Sequence, residues 1–391
     1  MLYRQDATVM THLLLRRALP STSRSSSRSG LLTSPIASTV LKCLTMTSVM
    51  WYSAASASPS PPPLFQSPLV TVEQVRASLA ASSGSGSGSG NARDRSIKFL
   101  DSSWHLDKTR DAKKEFLEEH LPGAQFFDID AISDKSSPFP HMIPTATAFA
   151  EAASALGLEN KDHIVVYTTQ KCFSAARCWW TFRAFGHENV FVLQGGLPAW
   201  KAAGGKVEKG AAQVRSSRPP QGLVQQGGNA YLLGKEGFQA KMKPELVYSW
   251  QQVLTLVESA KDEKDRIVDA RGAPRFNAEV DEPRPGLARG HIPGSVNVPF
   301  DKVMVEGDWT RFKPKEEIFE AFRAGGLDLM ALPKERKVIT TCGSGVTAAA
   351  LSFAMVLAGR EVEAVPVFDA SWAGWGQLKG VPIEPPPVDR S

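Results

Sequence analysis

The feature that most constrains the fold is an internal duplication within residues 100–375. Four short landmarks occur twice in the same order, and the two copies of each are separated by 168 to 175 residues. The pairs begin at Leu100 and Val268, Leu121 and Ile292, Ile164 and Val338, and Trp200 and Trp375. Because chance similarity would not preserve both order and spacing, we predict two tandem domains of the same fold.

Each half alternates short runs rich in β-branched residues with longer runs of helical periodicity. In the first half the strand-like runs are residues 97–100, 126–129, 164–167 and 190–193, and the helical runs are residues 113–120, 146–156 and 175–185. This alternation predicts an α/β fold in which each domain is a mainly parallel sheet with helices on both faces. Ligands bind such sheets at the carboxyl ends of strands, which directs attention to the loops after Tyr167 and Thr341.

Composition divides the chain into four parts. We predict that residues 1–70 are a disordered targeting segment and that residues 71–203 form the first domain. Residues 204–245 are rich in Gly, Gln, Ser and Pro and are predicted to link it to a second domain at 246–385. A Ser-Gly repeat at 82–90 is typical of a flexible insert without capacity to pack.

Charge and cysteine content exclude several classes of protein. The 391 residues carry a formal net charge of +5, but six basic residues and one acid lie within residues 1–70, so the remainder is balanced. No basic face therefore points to nucleic acid. The apolar run at 346–359 is too short to span a membrane, and we expect no membrane association. Four irregularly spaced cysteines favour a reducing compartment, without a disulfide framework or a metal site. We expect a monomer or a weak dimer.

The N-terminal segment has the composition of a mitochondrial transit peptide. It is rich in Ser and Arg, nearly free of acid, and residues 10–18 can form a basic amphipathic helix. We therefore expect a location in the mitochondrial matrix, with the cytoplasm as an additional location. A plain disordered tail is the alternative, whereas Arg16 and Arg17 interrupt the apolar core that a secretory signal needs.

Cys342 lies in a Gly-rich turn between a β-run at 337–341 and a strongly helical run at 346–355. Gly343 and Gly345 permit positive φ angles, so the loop can curl with its N–H groups pointing inward. Converging N–H groups and a helix N-terminus stabilise an anion, and we predict a nucleophilic thiolate at Cys342. The alternative is a buried structural cysteine in front of a helix.

The loop from Cys342 to Ala348 resembles the active-site loop of 3-mercaptopyruvate sulfurtransferases, a branch of the rhodanese family. The resemblance covers roughly residues 70–385. The further motifs that carry it are Phe127-Asp-Ile-Asp130, His141-Met142, residues 174–180 and 182–187, Arg275-Phe276, Glu282-Pro-Arg284 and residues 290–294. It implies two tandem rhodanese-like domains, a non-catalytic one at 71–203 and a catalytic one at 246–385.

The sequence of the first domain is consistent with a non-catalytic role. Its equivalent loop, residues 168–174, has no cysteine directly after the strand, and Cys172 lies further on without flanking glycines. We therefore predict that Cys172 and Cys178 are not catalytic. His120 and His291 occur in repeated His-(Leu/Ile)-Pro-Gly turns and are predicted to be structural.

The resemblance implies that Cys342 attacks the sulfur of 3-mercaptopyruvate and carries it as a persulfide. Arg275 and Arg284 match the two arginines that the family uses to hold the substrate carboxylate and keto group, a task that suits a planar guanidinium. A surface salt bridge is the alternative for either arginine. The other residues assigned to substrate binding are Gly343, Gly345, Val346 and Thr347.

Asp130 and His141 match first-domain residues that form a relay with the loop serine of the family, here Ser344. Removal of sulfur from the substrate leaves a pyruvate enolate, which needs a proton. In this interpretation His141 orients and deprotonates Ser344, and Asp130 fixes the tautomer of His141. The alternative is that Asp130 caps or bridges at the domain interface and His141 only packs there.

The resemblance implies that sulfur passes from the persulfide to a thiol acceptor such as thioredoxin, or to cyanide, and that pyruvate is released. It implies no metal and no organic cofactor. Thiosulfate is the alternative donor, although the neutral residues 343–345 lack the cations expected beside its two charges. A cysteine phosphatase would need an arginine where Ala348 stands, and a non-catalytic sulfur carrier would not need the two arginines.

Overall fold

A computed structural model describes residues 63–83, 96–211, 237–259 and 265–385, together with the backbone of residues 223–226 and 229–232. The predicted targeting segment up to residue 62, and the Ser-Gly repeat from residue 84 onward, lie outside the described residues. Two five-stranded parallel sheets organise the described part of the chain.

The first domain is a parallel sheet covered by helices on both faces. Its strands are β1 (Leu69–Val70), β2 (Ile97–Asp101), β3 (Gln125–Phe126), β4 (His163–Tyr167) and β5 (Val190–Leu193). Its helices are α1 (Val72–Ser83), α2 (Ala112–Glu118), α3 (Ile129–Ile132), α4 (Ala146–Ala155), α5 (Ala175–Ala184) and α6 (Gly196–Ala202). Successive residues of β4 pack on opposite faces: Ile164 joins the core beneath α4 and α5, and Val165 the core beneath α1, α2 and α6.

The segment between the domains forms a three-stranded antiparallel sheet, followed by a single 3-10 turn at Pro244–Leu246. The strands are β6 (Leu223–Gln226), β7 (Asn229–Leu232) and β8 (Ala240–Lys241).

The second domain repeats this architecture. Its strands are β9 (Val247–Tyr248), β10 (Arg266–Asp269), β11 (Val296–Asn297), β12 (Met304–Val305), β13 (Asp308–Phe312), β14 (Val338–Thr341) and β15 (Val367–Phe368), of which β12 and β13 form a separate antiparallel pair. Its α-helices are α7 (Trp250–Glu258), α8 (Ala273–Phe276), α9 (Lys315–Ala324), α10 (Val346–Leu357) and α11 (Ser371–Trp375), and its 3-10 turns are Phe300–Val303 and Val362–Ala364.

The two sheets have the same strand order. The first runs β1-β5-β4-β2-β3 and the second β9-β15-β14-β10-β11, with parallel neighbours throughout. The registers match as well, since Asp101 pairs with Tyr167 in one sheet and Asp269 with Thr341 in the other. The predicted tandem α/β fold is therefore confirmed.

Two predicted boundaries differ from the structure. β1 precedes residue 71 and pairs with β5, and the buried residues Phe65 and Val70 belong to the core of the first domain. Within the predicted linker at 204–245, Phe238 is fully buried against Phe149, with ring centroids 5.6 Å apart. Isolated apolar residues give no periodic signal, whether they lie in the Pro- and Ser-rich sequence before residue 71 or in the Gly- and Gln-rich linker.

The domains meet where α5 packs against α10. Trp179 of α5 contacts Phe353 of α10 edge to face, with ring centroids 4.8 Å apart. The facing side of α10 includes small buried residues, among them Ala349 and Ala350, which allow close approach. Because α5 and α10 each follow the central strand of a sheet, this contact brings the carboxyl end of β4 close to that of β14.

Within the described ranges, no helix is both long and apolar enough to cross a membrane.

Candidate active site

Residues 342–345, the cysteine loop, connect β14 to α10. Cys342 is 2% exposed, and the backbone N–H of Gly345 donates a hydrogen bond to its Sγ at 3.1 Å. Gly345 has a φ of 81°, a left-handed conformation that favours glycine and folds the loop back over the sulfur. The sulfur therefore lies against a backbone N–H at the N-terminus of α10.

The main chain of Cys342 is held from α11. Its N–H donates to Oγ of Ser371 at 3.1 Å, and its carbonyl accepts from the N–H of Trp372 at 2.9 Å. Both backbone groups are thereby occupied, which fixes the position of this cysteine. Trp372 and Trp375 are fully buried, so they belong to the core of the second domain.

Ser344, His141 and Asp130 form a hydrogen-bonded chain across the domain interface. Oγ of Ser344 lies 3.0 Å from Nδ1 of His141, and Nε2 of His141 lies 3.0 Å from Oδ1 of Asp130. Because a carboxylate only accepts, Nε2 carries the proton and Nδ1 is left to accept the serine hydroxyl proton. The hydrogen bond from His141 lowers the pKa of Asp130, which keeps its carboxylate ionised. The sequence-predicted relay residues are thus in contact.

Trp104 supports this chain and was not identified from the sequence. Its indole N–H donates to Oδ2 of Asp130 at 3.0 Å, and its ring meets that of His141 edge to face at 4.9 Å. The residue is the last one of the first duplicated landmark, Leu100 to Trp104, but no residue pattern there indicates its partners.

Arg275 and Arg284 converge on the cysteine loop. A Cβ atom at Gly343 would lie 3.1 Å from Nη2 of Arg275 and 3.8 Å from Nη1 of Arg284. Arg275 also pairs with the nearly buried Glu282, with Nη2 2.5 Å from Oε2. Arg284 is half-buried and has no ion-pair partner among the described residues. Two guanidinium groups beside the cysteine loop can bind an anion bidentately.

The remaining predicted binding residues begin α10. Val346 is 2% exposed, so its side chain packs in the core and only its backbone can face a ligand. Thr347 is half-buried. Among the described residues, no group of His, Cys, Asp and Glu side chains could hold a metal ion.

Comparison with known proteins identifies the family. The rhodanese-like domain family matches residues 98–203 and again residues 251–378. The chain belongs to the rhodanese-like family. The 3-mercaptopyruvate sulfurtransferase of Escherichia coli K12 is 40% identical over 276 residues, which span 71% of this chain and 87% of the relative. The mitochondrial thiosulfate/3-mercaptopyruvate sulfurtransferase 1 of Arabidopsis thaliana is 37% identical over 339 residues, or 85% and 80% of the two chains. With relatives of this kind along most of its length, the chain is a sulfurtransferase.

Solved structures of the rhodanese fold also align with this chain. The 3-mercaptopyruvate sulfotransferase SseA from Escherichia coli aligns with a TM-score of 0.59 at 32% identity and covers 78% of this chain and 99% of its own. The Tum1 protein from Saccharomyces cerevisiae aligns with a TM-score of 0.65 at 28% identity, covering 81% and 97%.

The first rhodanese domain has a threonine at the position equivalent to Cys342, the predicted nucleophile. Thr168 follows β4, and its carbonyl accepts the N–H of Leu197 at 3.0 Å, just as that of Cys342 accepts the N–H of Trp372. This hydroxyl side chain cannot carry sulfur as a persulfide, so the matching loop of the first domain has no equivalent nucleophile.

The other described cysteines, Cys172 and Cys178, are buried and free. Burial raises the pKa of both thiols, so they remain protonated. The sulfur of Cys172 is further occupied by the backbone of Trp104, at 3.2 Å. These surroundings support the prediction that neither cysteine is catalytic.

The two repeated histidines make the same contacts in each rhodanese domain. Nδ1 of His120 bonds the carbonyl of Phe116 at 2.9 Å, and Nδ1 of His291 bonds that of Phe276 at 2.8 Å. Each imidazole also stacks on the phenyl ring of the same partner. These matching contacts support a structural role.

Proposed function

We propose that this sulfurtransferase takes sulfur from 3-mercaptopyruvate and carries it as a persulfide on Cys342. The observation that carries the proposal is the convergence of Arg275 and Arg284 on Gly343, beside the nucleophile. 3-Mercaptopyruvate keeps its carboxylate two carbons from its sulfur. It therefore needs cations near the cysteine loop rather than within it, which is where the two arginines lie.

In the first step the Cys342 thiolate attacks the substrate sulfur. A sulfur–sulfur bond forms, the carbon–sulfur bond breaks, and its electron pair leaves as the enolate of pyruvate. Arg275 and Arg284 bind the carboxylate and keto oxygens, where negative charge accumulates as the enolate forms. The N–H of Gly345 stabilises the attacking thiolate.

The hydrogen-bonded chain moves one proton from the substrate thiol to the enolate carbon. Ser344 accepts the thiol proton while its own passes to Nδ1 of His141, and the ionised Asp130 stabilises the resulting imidazolium. The same path in reverse delivers the proton to the carbon and releases pyruvate. No proton needs to come from bulk water.

In the second step an acceptor thiol attacks the outer sulfur of the persulfide. The new bond forms as the sulfur–sulfur bond to Cys342 breaks, and the cysteine thiolate is restored. A dithiol protein such as thioredoxin, or cyanide, has the nucleophilicity that this step requires.

Thiosulfate is a second candidate donor. The name of the Arabidopsis relative includes both substrates, and the guanidinium groups of Arg275 and Arg284 attract any dianion. The cysteine loop itself holds no cation beside the position of a sulfonate, so we propose that thiosulfate is the poorer substrate.

Turnover and mass spectrometry test the proposal together. Brief exposure to 3-mercaptopyruvate should add one sulfur to the Cys342 peptide, and Cys342→Ser should abolish sulfur transfer. Cys172→Ser and Cys178→Ser are matched controls and should retain most activity. Thiosulfate and a phenyl phosphate, assayed in parallel, separate the donors from a phosphatase reaction. A persulfide found on Cys172 instead of Cys342 would overturn the assignment.

We also propose that the enzyme enters mitochondria by means of the N-terminal segment that precedes Phe65. Support comes from the Arg- and Ser-rich composition of the segment and from the mitochondrial Arabidopsis relative.

A further inference from the structure

Arg177 is a buried arginine of the first domain whose guanidinium reaches the second. It lies in α5, is 2% exposed, and packs over the ring of Trp180 at 4.5 Å. Its Nη1 lies 2.7 Å from Oδ1 of Asp369, which directly follows β15 and is 1% exposed. A buried ion pair contributes little net stability because both charges lose their water, but it does impose a defined geometry.

The other contacts of this ion pair reach both sides of the active site. Arg177 donates through Nη2 to the carbonyl of His141 and through Nη1 to the carbonyl of Gly345, the latter at 3.4 Å. Oδ2 of Asp369 accepts the N–H of Ile143 at 2.7 Å. This ion pair therefore binds the main chain of residues 141–143 and also that of the cysteine loop.

Each bound segment contains a residue in the left-handed backbone conformation. His141 has a φ of 61°, a left-handed conformation that a residue with a side chain adopts only when its surroundings impose it. Gly345 is also left-handed, and a Cβ atom there would lie 2.8 Å from Nη1 of Arg177. Removing the guanidinium would take one hydrogen bond away from each segment, while α11 would still hold the main chain of Cys342.

We propose that Arg177, anchored by Asp369, is a positioning residue that sets the distance between His141 and Ser344. This inference rests on the proposed proton relay, because positioning matters only if His141 acts on Ser344. Cys342 and both substrate arginines belong to the second domain, whereas His141 and Asp130 belong to the first. Loss of Arg177 should therefore slow the step that uses the relay while leaving substrate affinity nearly intact.

A double-mutant cycle between Arg177→Lys and His141→Asn tests this coupling. Lysine keeps the charge opposite Asp369 but cannot bind two carbonyls as the guanidinium does. Rapid-mixing experiments monitor the formation of the persulfide from 3-mercaptopyruvate. Arg177→Lys should lower kcat by about tenfold or more, as expected for a small displacement of a catalytic group, with KM changed less than about twofold. In the His141→Asn background the same substitution should change kcat less than about twofold.

The outcomes separate this inference from the proposed function. If His141→Asn keeps the wild-type rate, the relay itself is wrong, and the inference falls with it. If His141→Asn is slow but Arg177→Lys lowers its kcat by the full factor again, the relay stands and Arg177 is only structural. A rise in KM equal to the loss in kcat/KM would likewise overturn a positioning role.

Two further variants keep the test interpretable. Arg183→Lys makes the same change in the same helix, at a residue whose Nη1 bonds the carbonyl of Glu188, and should leave kcat unchanged. If Arg177→Lys does not fold, Arg177→Met combined with Asp369→Asn removes both buried charges at once and serves in the same cycle.

Discussion

Among the arginines around the cysteine loop, Arg284 differs in having no carboxylate partner within the described residues. Arg275 shares Glu282 with Arg271, whose guanidinium is fully buried and also pairs with Asp269. A half-buried guanidinium without a protein carboxylate beside it is available to a substrate anion. The guanidinium of Arg271, in contrast, is already paired with two carboxylates of the protein.

We predict that Arg284→Ala lowers kcat/KM for 3-mercaptopyruvate by roughly ten- to a hundredfold, the effect of losing a charged hydrogen bond to a carboxylate. Steady-state kinetics measures this loss, and thermal unfolding should show an unchanged Tm because no buried acid is left unpaired. Arg289→Ala is the matched control, since Arg289 pairs with the exposed Asp281. Equal losses with 3-mercaptopyruvate and thiosulfate would contradict a role in donor specificity.

At the scale of elements, β2 and β10 are equivalent strands that end in a buried aspartate with different surroundings. Asp269 at the end of β10 is paired with Arg271 at 2.6 Å. Asp101 at the end of β2 forms no ion pair among the described residues, and its Oδ1 accepts the N–H of Ser103 at 2.9 Å. Without a cation, burial raises the pKa of Asp101 from 3.8 to about 6.

This difference predicts a pH dependence of stability. Between about pH 4 and pH 6 the folded protein binds the Asp101 proton more tightly than the unfolded chain, so the free energy of unfolding falls as the pH rises through this window. Asp101→Asn should remove that contribution and stabilise the protein above pH 6, by up to about 3 kcal/mol. Urea unfolding at pH 4.5 and pH 7.5 gives the comparison. Asp269→Asn, which removes one of the two carboxylates paired with the buried Arg271, should destabilise at both values, and a stabilising Asp269→Asn would refute this account.

At the scale of the whole molecule, the active site is assembled from both rhodanese domains, so it forms only after both have folded and docked. A targeting segment at the N-terminus is compatible with this order, because import machinery handles the chain before it folds. We predict that a fluorescent protein fused behind residues 1–70 enters mitochondria. Arg16→Glu with Arg17→Glu is the control and should leave the fusion in the cytosol, because the change removes the basic face of residues 10–18. A wild-type fusion that stays cytosolic would disprove import.

Local sequence was sufficient for much of this protein. The recurrence of short landmarks at a nearly constant spacing predicted the tandem domains. The Gly-rich turn between β14 and α10 lies in one contiguous stretch and predicts a nucleophile at Cys342. The predicted bounds of one strand were wrong, because a helix cap within the predicted strand ends it early. Residues 126–129 were assigned to one strand, yet Asp128 caps α3 by accepting the N–H of Ala131 at 2.9 Å, and the strand ends at Phe126.

Only the tertiary structure decided which distant residues meet. His141 and Ser344 are 203 positions apart and bond at 3.0 Å, and Arg177 reaches Asp369 across the same interface. Resemblance to a family named the relay residues, but no pattern indicated Trp104 or the Arg177–Asp369 pair. Periodicity and turn residues report the conformational preferences of a few neighbouring residues, whereas these contacts exist because α5 and α10 dock two separately folded sheets in one orientation.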